Sequence, residues 1–154
     1  MDYETVKIEN PFNPPCGCYV SCPDEIGWDC GEQRDIQLPV FGQIFIGNTE
    51  DYFTPADFLE GSSTKYAKMV LQNFRGEVVD TQIAKAIPDF EYSDDGTATC
   101  YYEVDEDLSK KLRAGVYSLY VYLMDTLPAS DGKPERTIFS LMVTKPEGIK
   151  VTIS

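Results

Sequence analysis

The sequence predicts an all-β protein, an antiparallel β-sandwich with one or two short helices and an extended N-terminal arm. Three observations carry that expectation. Residues 115–124, Gly-Val-Tyr-Ser-Leu-Tyr-Val-Tyr-Leu-Met, are dense in β-branched and aromatic residues and contain no proline, so they read as a central strand. Shorter runs of the same character recur along the chain with turn residues between them, the spacing of a sandwich. A chain of 154 residues makes one domain, or one domain plus an arm, and its ten Tyr and eight Phe are enough to fill a real core.

Side chains alternate across a strand. The central strand therefore presents Tyr117, Leu119, Val121 and Leu123 on one face, which has the makings of a core. The other face carries Val116, Ser118, Tyr120, Tyr122 and Met124. It is amphipathic and tyrosine-rich, suited to a sugar or a protein partner because Tyr offers area with a polar tip, or to cover by the opposing sheet or a helix over 105–114.

Residues 1–34 read as an arm. Pro11, Phe12, Pro14 and Pro15 lie in a run that breaks helix and strand alike. Cys16, Cys18, Cys22 and Cys30 follow, with Trp28, the single tryptophan, among them. The arm has too few apolar residues for a core of its own and is expected to lie along another chain or another copy of this one. The sandwich is expected over 35–154. Residues 36–47 make an edge strand, or two short ones, interrupted at Pro39 and Gly42. Thr54 caps a short helix with Pro55 at its first position and Asp57 as the reciprocal acid, and Gly61 ends it. Residues 66–71 and 78–84 are strands joined by the Asn73–Gly76 turn. Residues 97–104 form the next strand, after the turn at 93–96. A helix over 105–115 has acids first and bases last, as the helix dipole favours. Strands over 136–143 and 149–153 close the domain.

Composition excludes several functions. The formal net charge is −13, which argues against nucleic acid and against anionic membrane surfaces. The chain has no histidine, which removes Ser-His and Cys-His nucleophile pairs and the commonest metal ligand. The protein is therefore expected not to be an enzyme, with no catalytic residue and no cofactor. The first residues lack a secretory signal, no apolar run reaches transmembrane length, and Met1 suggests a native start, so synthesis and retention in a cytoplasm are expected.

Two side-chain groups could take a metal. Cys16, Cys18, Cys22 and Cys30 have the spacing C-x-C-x3-C-x7-C, which is not that of two separated C-x2-C pairs. Zinc, disulfides formed after release from the cell, and free thiols all remain open; Cys100, within a strand, reads as a buried hydrophobe. Asp89, Glu91, Asp94, Asp95, Glu103, Asp105, Glu106 and Asp107 could offer oxygens to Ca²⁺ but lack EF-hand spacing, and turn and cap roles explain them more simply.

From residue 66 to 143 the layout resembles the small Ig-like domains of tailed-bacteriophage virion proteins, including the N-terminal domain of baseplate upper proteins. The resemblance rests on Leu71, on Arg75-Gly76-Glu77-Val78-Val79, on Asp95-Gly96-Thr97, on Leu112-Arg113-Ala114-Gly115-Val116-Tyr117 and on Thr137-Ile138-Phe139-Ser140. It covers about half the chain, and the cysteine arm is not part of it. It implies an Ig-like sandwich acting as a structural component of a virion: a capsid decoration protein, a head-fibre base, or a collar or tail accessory protein. Such a protein assembles in the host cytoplasm and binds other virion proteins or its own copies, here through the arm (Pro11, Phe12, Pro14, Pro15, Trp28) and the face of Tyr120 and Tyr122. The alternative is a bacterial Ig-like adhesion or carbohydrate-binding module, which an exported start or exposed aromatics beside a Ca²⁺ site would favour.

Overall fold

The computed structural model describes residues 19–20, 25–44 and 52–154. In chain order these form β1 (Tyr19–Val20), β2 (Glu25–Trp28), β3 (Arg34–Phe41), α1 (Pro55–Leu59), β4 (Lys65–Asn73), β5 (Val78–Lys85), β6 (Glu91–Tyr92), β7 (Ala98–Val104), α2 (Glu106–Lys111), β8 (Gly115–Leu127), β9 (Arg136–Met142) and β10 (Ile149–Ile153). The fold is all-β, with two sheets and two short helices. A four-stranded sheet runs β1-β3-β7-β6, and a six-stranded sheet runs β2-β10-β8-β4-β5 with β9 also on β8.

The predicted central strand is β8, and the larger sheet is assembled on it. At 13 residues it is long enough to take one partner on one edge and two on the other. β4 pairs with it antiparallel from Tyr117 to Asp125. On the opposite edge β10 takes Gly115–Leu119 and β9 takes Tyr122–Leu127. Between them the Val143 N–H donates to the Val121 carbonyl at 2.9 Å, so the edge stays bonded where the partner changes.

Alternation along β8 sends Leu119, Val121 and Leu123 inward, each fully buried. Met69 and Leu71 join them from β4, and partly buried Val79 and Phe139 pack against the same cluster. The smaller sheet supplies Ile36, Leu38 and Val40 from β3 and Ala98, Cys100, Tyr102 and Val104 from β7, so both sheets share one core. α1 closes one end with Phe58 and Leu59. Its start is the expected capping box: the Asp57 N–H donates to Thr54 Oγ1 at 3.1 Å and the Thr54 N–H to Asp57 Oδ2 at 3.2 Å. Gly96 abuts this cap, and a Cβ there would lie 2.5 Å from Thr54 side-chain carbons.

Several boundaries differ from expectation. Residues 25–34, assigned by sequence to the arm, pack on their own chain. β2 pairs in parallel with β10, Ile153 opposite Trp28, and the Cys30 N–H donates to the Ser154 carbonyl at 2.9 Å. The domain thus starts before residue 35. Four residues including Gly27 carry no periodic signal, and their partner strand lies at the other end of the chain. β3 runs unbroken through Pro39, which pairs with Thr99, while β1 borders only Val40 and Phe41; a residue without an N–H fits where one edge has no partner among the described residues. α2 ends at Leu112, whose N–H donates to Leu108, and Gly115 is the first residue of β8 rather than a helix stop.

A polar clasp joins the sheets where no sequence pattern marks it. The Gln82 amide on β5 donates to the Glu103 carbonyl at 2.7 Å and accepts from the Glu103 N–H at 3.0 Å, imitating a strand. The same amide donates to Asp80 Oδ2 at 2.9 Å, which also accepts from the buried Tyr102 hydroxyl at 2.7 Å.

Two stability outcomes follow from this packing. Leu119→Ala should lower unfolding free energy by about 2–5 kcal/mol in urea titration, as large-to-small changes in a filled core do. Gln82→Ala should cost about 1–2 kcal/mol by the same measurement, because water replaces the clasp at Glu103 only in part.

Candidate functional site

The core uses one face of the six-stranded sheet, and the other faces away from the smaller sheet. Register places its residues. Tyr122 of β8 lies between Lys68 of β4 and Met142 of β9, Tyr120 is opposite Val70, and Met124 is opposite Tyr66 and Ser140. β5 adds Ile83 beside Lys68 and Lys85 beside Tyr66. β10 adds Lys150 and Thr152 beside Ser118 and Val116. Opposed residues of paired strands share a face, so these side chains form one surface. Neither helix lies over it: α1 and α2 both contact β7 in the other sheet, and Phe58 of α1 meets Phe139 of β9 on the core side. Among the described residues the tyrosine face is therefore open, and the expected cover by the 105–114 segment is not found.

The surface is apolar in patches. Tyr66, Tyr120, Tyr122 and Met124 are half-buried, while Ile83, Val116 and Met142 are exposed. The strip continues to the β4–β5 hairpin, where Phe74 is 80% exposed and Val78 57%. That tip is rigid: Asn73 Oδ1 accepts from the N–H groups of Arg75 and Glu77, both at 3.0 Å, and Gly76 supplies a φ of 80°. Exposed apolar side chains gathered on one face make it a candidate binding surface. Tyr120 is held in place from the side. Gly148, at φ 75° in the β9–β10 turn, approaches so closely that a Cβ there would sit 3.1 Å from the Tyr120 ring and 3.0 Å from the Leu119 carbonyl.

Its charge is opposite to that of the chain. Strand residues of this face include Lys68, Lys85 and Lys150, against one described carboxylate, Glu25. Lys150 Nζ is 3.8 Å from Glu25, whereas Lys68 and Lys85 have no ion-pair partner among the described residues. In a protein with 26 acidic and 13 basic residues this local excess of cations is distinctive.

The other expected site residues are placed differently. Pro11, Phe12, Pro14, Pro15, Cys16, Cys18 and Cys22 lie outside the described residues. Trp28, expected at an interface, is instead 6% exposed in the core, because pairing β2 with β10 turns its ring inward. Cys30 is exposed and free, its Sγ donating to the Leu112 carbonyl at 3.5 Å. Among the described residues no three Cys, Asp or Glu side chains are grouped so as to hold a metal ion. Several acids proposed for Ca²⁺ serve locally. Asp105 caps α2 through the Leu108 N–H, Asp89 accepts from the Lys85 N–H, and Glu106 pairs with Lys110. Asp95 accepts from the Thr97 N–H, which lowers its pKa.

Buried groups are held neutral. Burial pushes the Cys100 thiol up to about 12. Burial also raises the Tyr102 hydroxyl above its ordinary range, helped by its bond to Asp80. Tyr92, raised to about 12 by burial, donates to the Ala86 carbonyl at 2.6 Å. These are structural uses of polar atoms.

Sequence reasoning found Tyr120 and Tyr122 but missed Tyr66, Lys68, Ile83, Met142 and Phe74. Alternation within β4 and β5 could have placed the first three on one face, but only pairing with β8 makes that face the tyrosine face. No protein family matches the chain, and no curated protein matches it. Among the described residues no helix is long and apolar enough to cross a membrane.

Two measurements probe these assignments. Gly148→Ala should cost about 1–2 kcal/mol, since an L-residue is strained at positive φ, and should shift the ring resonances of Tyr120. Cys100 has a raised folded pKa, so its contribution is complete below the ordinary thiol pKa, near 9.0, and is lost as pH rises from there through about 12. Melting curves between pH 8 and 11 should therefore fall less steeply for Cys100→Ala than for the unaltered protein.

Proposed function

We propose that this protein is a non-enzymatic structural component of a bacteriophage particle, built on an Ig-like sandwich, that binds neighbouring subunits. The observation that carries the reading is the open outer face of the six-stranded sheet. It combines half-buried tyrosines, exposed Ile83, Val116 and Met142, and two lysines, Lys68 and Lys85, without ion-pair partners among the described residues of an acidic chain. Aromatic residues framed by polar groups are the composition of protein interfaces. The sequence motifs resembling phage Ig-like domains support the same reading. Arg75-Gly76-Glu77-Val78-Val79 turns β4 into β5, Asp95-Gly96-Thr97 leads into β7, and Leu112–Tyr117 carries α2 into β8. The protein acts by holding subunits together, as a capsid decoration, head-fibre base, or collar or tail accessory protein, and is assembled in the host cytoplasm.

Particles purified on a density gradient from producing cells should contain the chain at a fixed copy number by quantitative mass spectrometry. Its recovery only outside the particle band would reject the proposal. Tyr122→Ala should reduce its incorporation strongly while the melting temperature of the free protein moves little. Unfolding as severe as that of Leu119→Ala would make Tyr122 a core residue instead.

A further inference from the structure

We infer that the outer sheet face receives residues 1–18 of a second copy of this chain, so that copies are joined in series by an exchanged arm. The inference rests on the proposal that this face binds neighbouring subunits, and it names the occupant.

Three features converge on that segment. The first is chemistry. Proline-rich stretches dock on surfaces lined by aromatic rings, because their preformed extended backbone loses little entropy on binding. The segment carries Pro11, Pro14 and Pro15 around Phe12, and the face carries Tyr66, Tyr120 and Tyr122, with the Tyr120 ring braced by Gly148. The second is charge. The segment has Asp2, Glu4 and Glu9 against Lys7, while the face presents Lys68 and Lys85 without ion-pair partners among the described residues. On a chain of net charge −13, this face is the described sheet surface where an acidic segment meets attraction rather than repulsion.

The third is path. The 18 residues before Tyr19 span at most roughly 60 Å when extended. They join the domain where Tyr19 and Val20 pair with Phe41 and Val40, on the four-stranded sheet. The tyrosine face belongs to the other sheet and points the opposite way. To reach its own face the segment must round an edge of the sandwich, a bend that three prolines in five positions oppose. The face of an adjacent copy accepts it without a reversal. The contact is thus head-to-tail, and each copy both gives an arm and takes one.

The test uses the full chain with a benzophenone amino acid in place of Tyr122 or, separately, Met142, the second position guarding against a variant that does not fold. Equal amounts of ¹⁴N and ¹⁵N protein are mixed, irradiated and digested, and the cross-linked peptides are read by mass spectrometry. The expected product joins position 122 or 142 to a peptide within residues 1–18, in mixed-isotope pairs, with a yield that rises with protein concentration. Lys68→Glu together with Lys85→Glu should cut that yield several-fold, as should added salt. Pairs of a single isotope would show that the arm folds onto its own copy, and would overturn the inference. Mixed pairs joining the face to residues 25–154 would also overturn it, replacing the arm by a face-to-face contact. Repeating the irradiation in purified particles separates the two levels. A cross-link from position 122 to a different particle protein, with none to residues 1–18, rejects the exchanged arm and keeps the binding face. No cross-link in either setting rejects both.

Discussion

The fold depends on a single constraint: β8 must satisfy hydrogen bonds along both edges while burying every second side chain from Tyr117 to Leu123. Unpaired main-chain groups inside a protein are costly, so a strand of this length recruits partners wherever it runs. β4 supplies one edge, and β9 and β10 divide the other. Register then does the rest. With Leu119, Val121 and Leu123 sealed against the smaller sheet, alternation compels Tyr120 and Tyr122 to the opposite face. A slip of one residue would send the tyrosines into the core and the leucines to solvent. The tyrosine face and the core are thus two readings of one strand.

Local signals were legible in the sequence, and long-range ones were not. The cap at Thr54 and Asp57, the turn at Gly76 and the strand at 149–153 depend on neighbours a few residues away, and each lies where turn, cap or alternation chemistry puts it. β2 depends on a parallel partner at the far end of the chain, so Glu25-Ile26-Gly27-Trp28 looked like part of an arm. The same reason hid the clasp at Gln82, whose partner, Glu103, is distant in sequence and touches it through main-chain atoms that any residue would carry. The candidate surface was half legible. Alternation named Tyr120 and Tyr122, but the lysines beside them enter through the pairing of β4 and β5, which composition cannot foresee.

Charge is distributed to match this division. Acids occupy caps and turns, where main-chain N–H groups welcome them: Asp57, Asp89, Asp95 and Asp105 all accept such bonds. Their use there keeps these four negative charges at the ends of strands and helices. The flat of the six-stranded sheet is left to lysine and tyrosine, so one surface of a strongly acidic protein can meet another acidic chain without repulsion.

The pairing of β2 with β10 also decides how the domain carries a load. The two strands run in the same direction, Glu25 opposite Lys150 and Trp28 opposite Ile153. Tension drawn from residue 25 at one end and residue 153 at the other pulls them along their length in opposite senses. The ladder is then loaded in shear, and its bonds must yield together; they cannot open one after another like a zipper. Trp28, buried beside that ladder, adds packing that has to be sheared in the same event. An ordinary hairpin edge would peel. A sheet border that joins two strands so distant in sequence resists being drawn out, which gives the six-stranded sheet a mechanical grip at its β2 edge.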